Sequence, residues 1–327
     1  MTLTQQDLHR LSQDIPALTF SAERDCVWPK ASPVQTYLNH YGINFAAQFA
    51  QLAHGFGVVE AVGFRIATHY WLPENPVGTL VIVHGYYDHV GIFGHAIRFA
   101  LENQLAVLAF DLPGHGLSSG EPAVIDSFDQ YGDVLAEILR ASAAIMPQPL
   151  YALGQSTGCA ILLNYLWRYK SSDKTADQFK KIALCSPLVL PRAWRGYYMG
   201  QHVYLLIHRF VNRLTRNFSQ NSHDLEFLEF IQQKDSLQAK YLSLRWLGAM
   251  KAWHKLFLQL PPLQNSLLIV QGTGDMTVDW RYNIPLMEKK LPGAKILYID
   301  DAGHQLVNES DDYRKPVFTA IKHYFFN

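Results

Sequence analysis

Short apolar runs alternate with longer amphipathic segments from residue 64 to the end of the chain. Each run holds four to eight residues and is rich in branched aliphatic and aromatic side chains, which is typical of a buried strand. The seven runs are residues 64–71, 79–83, 105–110, 150–153, 182–185, 267–270 and 296–299. Strands that alternate with helical segments predict an α/β fold, with a mostly parallel sheet and helices on both faces.

The alternation stops between residues 187 and 260, where the pattern is helical. One predicted helix has an apolar face with polar side chains opposite. The residues of that face are Val203, Leu206, Ile207, Phe210, Val211 and Leu214. Asp224 and Asp235 are candidate N-caps of two further helices, the second of which extends to Phe257. In a cap over a substrate site, some of these apolar side chains would face the substrate.

These patterns divide the chain into an α/β core interrupted by a helical cap. The predicted units are an N-terminal extension that packs on the core (1–60), the first part of the core (61–186), the cap (187–260) and the second part of the core (261–327). Within the extension, residues 36–52 suggest a helix and residues 55–57 suggest a break before the core. Residues 73–76 read as a hairpin turn.

Composition narrows the classes of partner. The chain has 28 basic and 28 acidic residues, so it lacks the positive charge that draws proteins to nucleic acid. Its three cysteines, Cys26, Cys159 and Cys185, are too widely spaced for a disulfide framework or a zinc site. Cys159 and Cys185 lie in apolar segments and read as core residues. The N-terminus lacks a secretory signal and no run reaches the roughly 18 apolar residues of a spanning helix, so a cytoplasmic protein is expected.

The pentapeptide at residues 154–158 is a G-x-S-x-G element between an apolar run and the predicted helix that follows. A strand that turns sharply into a helix needs small residues around the turn, so that a serine can sit in a strained conformation with its hydroxyl exposed. The position therefore predicts a nucleophile elbow with Ser156 as the nucleophile.

A serine nucleophile needs a base and a carboxylate that orients this base. When the elbow is of this kind, the partners follow in the order serine, acid, histidine. Asp275 follows the sixth predicted strand and is the predicted acid, with Asp279 as its main rival and Asp301 as a weaker one. His304 follows the last predicted strand and is the predicted base.

The oxyanion that forms during acyl transfer needs two N–H donors. The expected donors are the backbone N–H groups of Thr157, after the nucleophile, and of Tyr86, in the loop that begins at His84-Gly85. The imidazoles of His84 and His115 read as structural.

With these residues in place, the chain resembles the α/β-hydrolases of the monoacylglycerol lipase and bacterial lysophospholipase group, sometimes grouped with serine aminopeptidases. The resemblance spans about residue 62 to the end. It is carried by residues 83–89, 111–120, 154–158, 272–275 and 303–309, and by residues 244–252 of the cap. Two positions depart from the family pattern, since Asp88 and Gln305 both stand where glutamate is common.

The resemblance implies hydrolysis of a lipid-like ester, such as a lysophospholipid or a monoacylglycerol, through an acyl-enzyme on Ser156. This chemistry requires neither a metal ion nor an organic cofactor. An amide-cleaving aminopeptidase is the alternative, with Glu226 and Glu229 as candidate carboxylates for a substrate ammonium. A catalytically silent binding protein on the same fold is a further alternative.

The expected partners are a small ester or lipid and, through the cap, a membrane surface. Five arginines of the cap could meet lipid headgroups. They are Arg192, Arg195, Arg209, Arg213 and Arg216. A monomer or a small homo-oligomer is expected.

Overall fold

The sheet and its helices are described in a computed structural model of the chain. The described residues are 3–21, 32–46, 48–169, 179–194, 200–208 and 210–327. Cys26, Arg195 and Arg209 lie outside them.

Eight strands form one mixed sheet. They are β1 (Ala53–Ala61), β2 (Phe64–Leu72), β3 (Thr79–Val83), β4 (Ala106–Phe110), β5 (Leu150–Gln155), β6 (Phe179–Cys185), β9 (Leu267–Gly272) and β10 (Ala294–Ile299). Two further strands, β7 (Arg213–Thr215) and β8 (Tyr241–Ser243), form a separate antiparallel ribbon. In the large sheet the order is β1-β2-β4-β3-β5-β6-β9-β10. β2 pairs antiparallel with β1 and with β4, and the other pairs of this sheet are parallel, so the α/β prediction is confirmed.

All seven predicted strands are present, but β1 was not predicted. The expected break at residues 55–57 lies inside β1, so that prediction is wrong. Gly55 pairs with Tyr70, and a Cβ built on Gly55 would lie 2.0 Å from the Tyr70 ring. Glycine here makes room for an aromatic side chain on the neighbouring strand.

The prediction of a hairpin turn at residues 73–76 is also wrong. β2 and β3 are not neighbours in the sheet, because β4 lies between them. The chain leaves β3 through a crossover helix and returns as β4, which pairs with both strands. Residues 73–76 therefore connect two strands that do not pair.

Ten α-helices are found in the described residues. They are α1 (Gln5–Asp14), α2 (Pro33–His40), α3 (Gly94–Glu102), α4 (Phe128–Ser142), α5 (Thr157–Tyr169), α6 (Gly200–Ile207), α7 (Leu225–Glu229), α8 (Leu244–Gln259), α9 (Trp280–Lys290) and α10 (Asp311–Phe326). The helix expected over residues 36–52 is shorter and earlier, since α2 ends at His40.

Apolar side chains fill both faces of the sheet. The cluster on one face includes α1, α2, α3 and α10, and the other includes α4, α5, α8 and α9. The buried stripe of α4 shows why such helices pack, since Tyr131, Val134, Leu135 and Ile138 recur at helical spacing and are fully buried. Burial of each such side chain contributes about 2 kcal/mol.

The N-terminal segment joins the edge of the sheet. Pro16 accepts a hydrogen bond from the Val58 N–H, and the Leu18 N–H donates to the Val58 carbonyl oxygen. α1 is held at its start by a capping box between Thr4 and Asp7. β1 thus gains a short parallel neighbour on its open side.

The cap differs from the sequence prediction in two places. The prediction of a long amphipathic helix after residue 202 is wrong, because α6 ends at Ile207 and the chain then forms β7, which pairs with β8. None of the α6 residues is buried. Without buried contacts to stabilise it, the helix does not continue beyond Ile207.

Asp224 is confirmed as the N-cap of α7, since it accepts a hydrogen bond from the Phe227 N–H at 2.9 Å. Asp235 is wrong as an N-cap, because α8 begins at Leu244 and is capped by Ser243. The Asp235 carboxylate is buried and binds His89 and Tyr41 instead. Within the described residues, no helix combines the length and the apolar character required to cross a bilayer.

Candidate active site

The turn from β5 into α5 carries Ser156 in a strained backbone conformation. Its φ is +55°, in the left-handed region that side chains avoid. A Cβ built on Gly158 would lie 2.0 Å from the Val83 carbonyl oxygen, and one on Gly154 would lie 2.8 Å from the Cys159 nitrogen. The two glycines of the pentapeptide therefore allow the close packing that holds the serine in this conformation.

Ser156, His304 and Asp275 form a continuous chain of hydrogen bonds. His304 Nε2 lies 2.9 Å from Ser156 Oγ, and His304 Nδ1 lies 2.7 Å from Asp275 Oδ2. With Nδ1 protonated toward the carboxylate, Nε2 can accept the serine proton. All three side chains are buried or nearly so, which limits competition from water.

Electrostatics supports an ionised acid beside a basic imidazole. Burial alone would raise the pKa of Asp275, but His304 and the N–H groups of Thr277 and Val278 hold this pKa below its usual value. Burial alone would lower the pKa of His304, but the Asp275 carboxylate raises it, with a further contribution from Asp88. The carboxylate therefore favours the imidazolium that forms when His304 accepts a proton.

The rival carboxylates lie elsewhere. Asp279 precedes α9, where its backbone carbonyl accepts from the N–H groups of Tyr282 and Asn283. Asp301 is exposed and its side chain lies near Tyr313. The carboxylate that contacts His304 is that of Asp275.

Two backbone N–H groups flank the serine. Thr157 is the first residue of α5, so its N–H is one of the donors that a helix leaves unsatisfied at its start. Tyr86 lies in the loop after β3, next to Gly85, where a built Cβ would lie 3.2 Å from Ser156 Cβ. Within the described residues, neither N–H has a hydrogen-bond acceptor, so both are available to an oxygen atom of a ligand.

The two histidines near this loop, His84 and His115, form hydrogen bonds with backbone groups, as expected of structural residues. His84 Nε2 accepts from the Leu112 N–H at 2.9 Å, and its Nδ1 lies 2.8 Å from the Gly85 carbonyl oxygen. His115 is buried and its Nδ1 contacts the Pro113 carbonyl oxygen. Burial lowers the pKa of both rings, to about 4 for His115, so both are neutral.

Asp88 and Gln305, the two departures from the family pattern, contact each other. Gln305 Nε2 donates to Asp88 Oδ1 at 3.0 Å, and Asp88 Oδ2 accepts from the Gly85 N–H at 3.2 Å. The pair joins the Tyr86 loop to the His304 loop. Gln155 of β5 also binds the His304 loop, because its side-chain amide donates a hydrogen bond to the His304 carbonyl oxygen.

Glu309 is a fully buried carboxylate that sequence reasoning did not single out. It accepts from the N–H groups of Gly303 at 2.6 Å, His223 at 2.7 Å and Ser310 at 3.0 Å. Gly303 precedes His304, and His223 leads into α7 of the cap. No local pattern identifies the contact with the cap, since His223 lies 86 positions from Glu309 in the sequence.

The 187–260 segment contacts the Tyr86 loop through aromatic rings. Trp246 of α8 stacks on Tyr86 with ring centroids 3.9 Å apart. The Tyr86 hydroxyl donates to the Ala123 carbonyl oxygen and accepts from the Ser243 N–H. Ser243, the N-cap of α8, and Trp246 in its first turn therefore fix the side chain of Tyr86.

The carboxylates considered for an ammonium group lie on the surface of α7. Glu226 and Glu229 are exposed, and Glu229 pairs with Lys234 at 2.8 Å. Both line a cavity of about 650 Å³ whose lining residues do not include Ser156, His304 or Asp275.

The described residues contain neither a second reactive site at a cysteine nor a metal site. Cys159 and Cys185 are buried free thiols, and burial raises the pKa of both, as expected for core residues. Among the residues that the structure describes, no group of three or more His, Cys, Asp or Glu side chains could hold a metal ion.

Comparison with known proteins finds distant relatives that are named as lipases and phospholipases. Human monoglyceride lipase is 27% identical over 275 residues, which cover 81% of this chain and 88% of the human protein. Phospholipase YtpA of Bacillus subtilis is 23% identical over 265 residues, which cover 77% of this chain and 96% of that protein.

A solved structure shows the same fold at low sequence identity. It is a soluble variant of monoglyceride lipase from Saccharomyces cerevisiae in complex with a substrate analogue. It superposes with a TM-score of 0.69 at 17% identity, over 82% of this chain and 94% of that chain. The profile of the family described as serine aminopeptidase, S33 matches residues 74–311. This match covers well over half of the sequence, so the chain belongs to the serine aminopeptidase S33 family of α/β-hydrolases.

Proposed function

We propose that this protein hydrolyses a carboxylic ester of lipid-like character, with Ser156 as nucleophile, His304 as general base and acid, and Asp275 as the orienting carboxylate. The observation that carries the proposal is the unbroken hydrogen-bond chain from Ser156 Oγ through His304 to Asp275. The N–H groups of Tyr86 and Thr157 form the oxyanion hole.

The reaction follows from this arrangement. His304 Nε2 takes the hydroxyl proton as Ser156 Oγ attacks the ester carbonyl, and the imidazolium then protonates the leaving alcohol. Water attacks the acyl-enzyme in the same way and releases the acid. Each oxyanion donor contributes about 3 kcal/mol to the transition state.

The substrate class rests on the relatives and on the cap. Two relatives carry the names monoglyceride lipase and phospholipase, so a glycerolipid with one acyl chain is the proposed substrate. The cap residues 187–260 are proposed to select it, because Trp246 packs directly on Tyr86 and other apolar side chains line the same helix.

Replacement of the nucleophile tests the proposal. Ser156→Ala should lower kcat for a p-nitrophenyl acyl ester by about 10⁶-fold, because the loss of one triad member removes covalent catalysis. A fluorophosphonate probe should label the wild type and not the variant. Ser142→Ala, in the buried face of α4, is the matched control and should retain activity and labelling.

Ester hydrolysis by Ser156→Ala at the wild-type rate would overturn the assignment. A wild type that is never labelled would support a silent binding protein. Faster turnover of a peptide amide than of the acyl esters would favour the aminopeptidase alternative, although Glu226 and Glu229 are exposed on α7.

We also propose that the cap associates weakly with lipid surfaces. Its exposed apolar side chains include Leu206 at 74% and Phe210 at 87% exposure, and Arg213 on the neighbouring strand is also exposed. Exposed apolar residues beside cations suit the boundary of a bilayer. Flotation with phosphatidylglycerol vesicles should recover part of the wild type and less of Leu206→Ser/Phe210→Ser, and equal recovery would contradict the proposal.

A further inference from the structure

Arg216 lies in the cap directly after β7 and against the Tyr86 loop. Its guanidinium carbon is 3.9 Å from the centroid of the Tyr87 ring and 4.2 Å from that of Phe218. Tyr87 follows Tyr86, whose N–H is the proposed oxyanion donor. A half-buried cation therefore contacts the ring of the residue that follows the proposed oxyanion donor.

One nitrogen of this guanidinium is held in place and the rest is free. Nη1 donates to Gln238 Oε1 at 2.6 Å and to the Ala239 carbonyl oxygen at 3.2 Å. In the described residues, Nε and Nη2 have no acceptor and no carboxylate lies within 4.0 Å of the group. Burial lowers the pKa of Arg216, while Asp88 and Asp235 act against this at longer range, and the group stays charged.

Four other arginines of the described chain differ from Arg216 in their contacts or exposure. Arg168, Arg245 and Arg314 pair directly with carboxylates. Arg281 lies over a ring, at 4.2 Å from Trp280, but is exposed to solvent. Arg98 is also half-buried, lies over Phe45 and has one nitrogen bound to Gln48. Arg216 differs from Arg98 by its place against the Tyr86 loop.

We propose that Arg216 binds a phosphate carried on the alcohol part of the ester, so that the preferred substrate is an anionic lysophospholipid rather than a neutral monoacylglycerol. The guanidinium fork matches two phosphate oxygens, and the Tyr87 and Phe218 rings fix its plane. Three glycerol carbons separate the acyl ester from the phosphate, which suits a subsite adjacent to the oxyanion loop. The inference rests on the proposed function, because it assigns the charge of the substrate at that site.

The test uses two esters with the same acyl chain, 1-octanoyl glycerol 3-phosphate and 1-octanoyl glycerol, both below their critical micelle concentrations. Monomeric substrates remove any effect of binding to a lipid surface. The wild type should have the higher kcat/KM for the phosphate ester. In Arg216→Met the ratio of the two kcat/KM values should fall about tenfold to a hundredfold, the loss expected for charge-assisted hydrogen bonds.

Two further variants sharpen the result. Arg216→Lys should recover part of the ratio, because it keeps the charge without the fork. Arg281→Met removes an exposed arginine that also lies over a ring and should leave the ratio unchanged. Inhibition by glycerol 3-phosphate should weaken in Arg216→Met and not in Arg281→Met.

A parallel loss for both esters in Arg216→Met would overturn the inference, since it would show that Arg216 only supports the cap. A wild type that prefers the neutral ester would overturn it as well. If neither ester is hydrolysed, the proposed function fails. Protection of Ser156 from a fluorophosphonate by glycerol 3-phosphate in the wild type, lost in Arg216→Met, would then still support the phosphate subsite.

Discussion

The imidazole of His304 is fixed from several directions at once. Asp275 binds Nδ1, Ser156 contacts Nε2 and Gln155 holds the backbone carbonyl oxygen. Because each partner is itself buried, the ring has little freedom to leave the position that proton transfer requires. Such preorganisation lowers the reorganisation needed in the transition state.

Asp275→Asn tests the electrostatic part of this arrangement. The carboxylate raises the pKa of His304, and only the neutral imidazole can act as the base. Removing the charge should therefore move the acid limb of the kcat/KM profile to lower pH, while kcat falls by about 10⁴-fold because the imidazole loses its orientation. The measurement is kcat/KM for a p-nitrophenyl ester from pH 4.5 to 9.

Asp279→Asn is the control for this profile. Asp279 is the rival acid by sequence, but its side chain makes no capping hydrogen bond at α9, so both the rate and the acid limb should match the wild type. If Asp279→Asn moved the limb and Asp275→Asn did not, the assignment of the acid would be wrong.

The residues at strand ends could be predicted, whereas their supporting partners could not. Ser156, Asp275 and His304 each follow an apolar run, and the carboxyl ends of parallel strands meet at one edge of the sheet. Asp88 and Gln305 are 217 positions apart in sequence, and their contact depends on how two loops fold against each other. Neither residue carries a local pattern that would indicate its partner.

At the scale of elements, Glu309 connects the His304 loop to the start of α7. Besides Gly303 and Ser310, its carboxylate binds the His223 N–H, while the Gln305 N–H donates to the Asn221 carbonyl oxygen. The loop that carries His304 is thus bound to the cap through backbone groups. A shift of this part of the cap would displace His304.

Glu309→Gln should lower kcat by about tenfold to a hundredfold, with KM changed less than twofold, because misplacement of the base by a fraction of an ångström slows proton transfer. The partners of Glu309 at Gly303, His223 and Ser310 are N–H donors, so the amide nitrogen of glutamine faces a donor where the carboxylate offered an acceptor. The measurement is kcat and KM per active site titrated with a fluorophosphonate, together with the thermal midpoint.

Asp301→Asn, an exposed residue of the same loop, serves as the control and should leave kcat unchanged. A Glu309→Gln protein with a lower thermal midpoint but full kcat per titrated site would restrict Glu309 to a role in stability.

The cap shows why periodicity alone misplaced some elements. Leu206 and Phe210 match a helical face by spacing, yet both are exposed and the chain turns into β7. Helical spacing predicts a helix only where a packed core covers the apolar face. The helix predicted to extend to Phe257 is present as α8, and its Trp246 and Trp253 are buried, because this helix packs on the core.

At the scale of the whole molecule, several histidines are buried and neutral. Burial lowers the pKa of His54 to about 3 and of His115 to about 4, and holds those of His69 and His84 well below the usual value. In the unfolded chain each would have a pKa of about 6.5 and take up a proton below that pH. Folded-state stability is therefore lost as the pH falls below about 6.5.

The free energy of unfolding should be lower at pH 5.5 than at pH 7.5. At pH 5.5 each of the four neutral rings lowers the free energy of unfolding by about 1.4 kcal/mol. Rings with a raised pKa favour folding at low pH and partly offset this loss. His89 and His304 are the two rings of this second kind.

Urea titrations followed by tryptophan fluorescence at both pH values would measure the difference in the free energy of unfolding. His54→Phe should reduce it by about 1.4 kcal/mol, and His202→Gln, at an exposed position of α6, should not change it. Equal or greater stability at pH 5.5 would mean that the buried rings are charged in the folded protein.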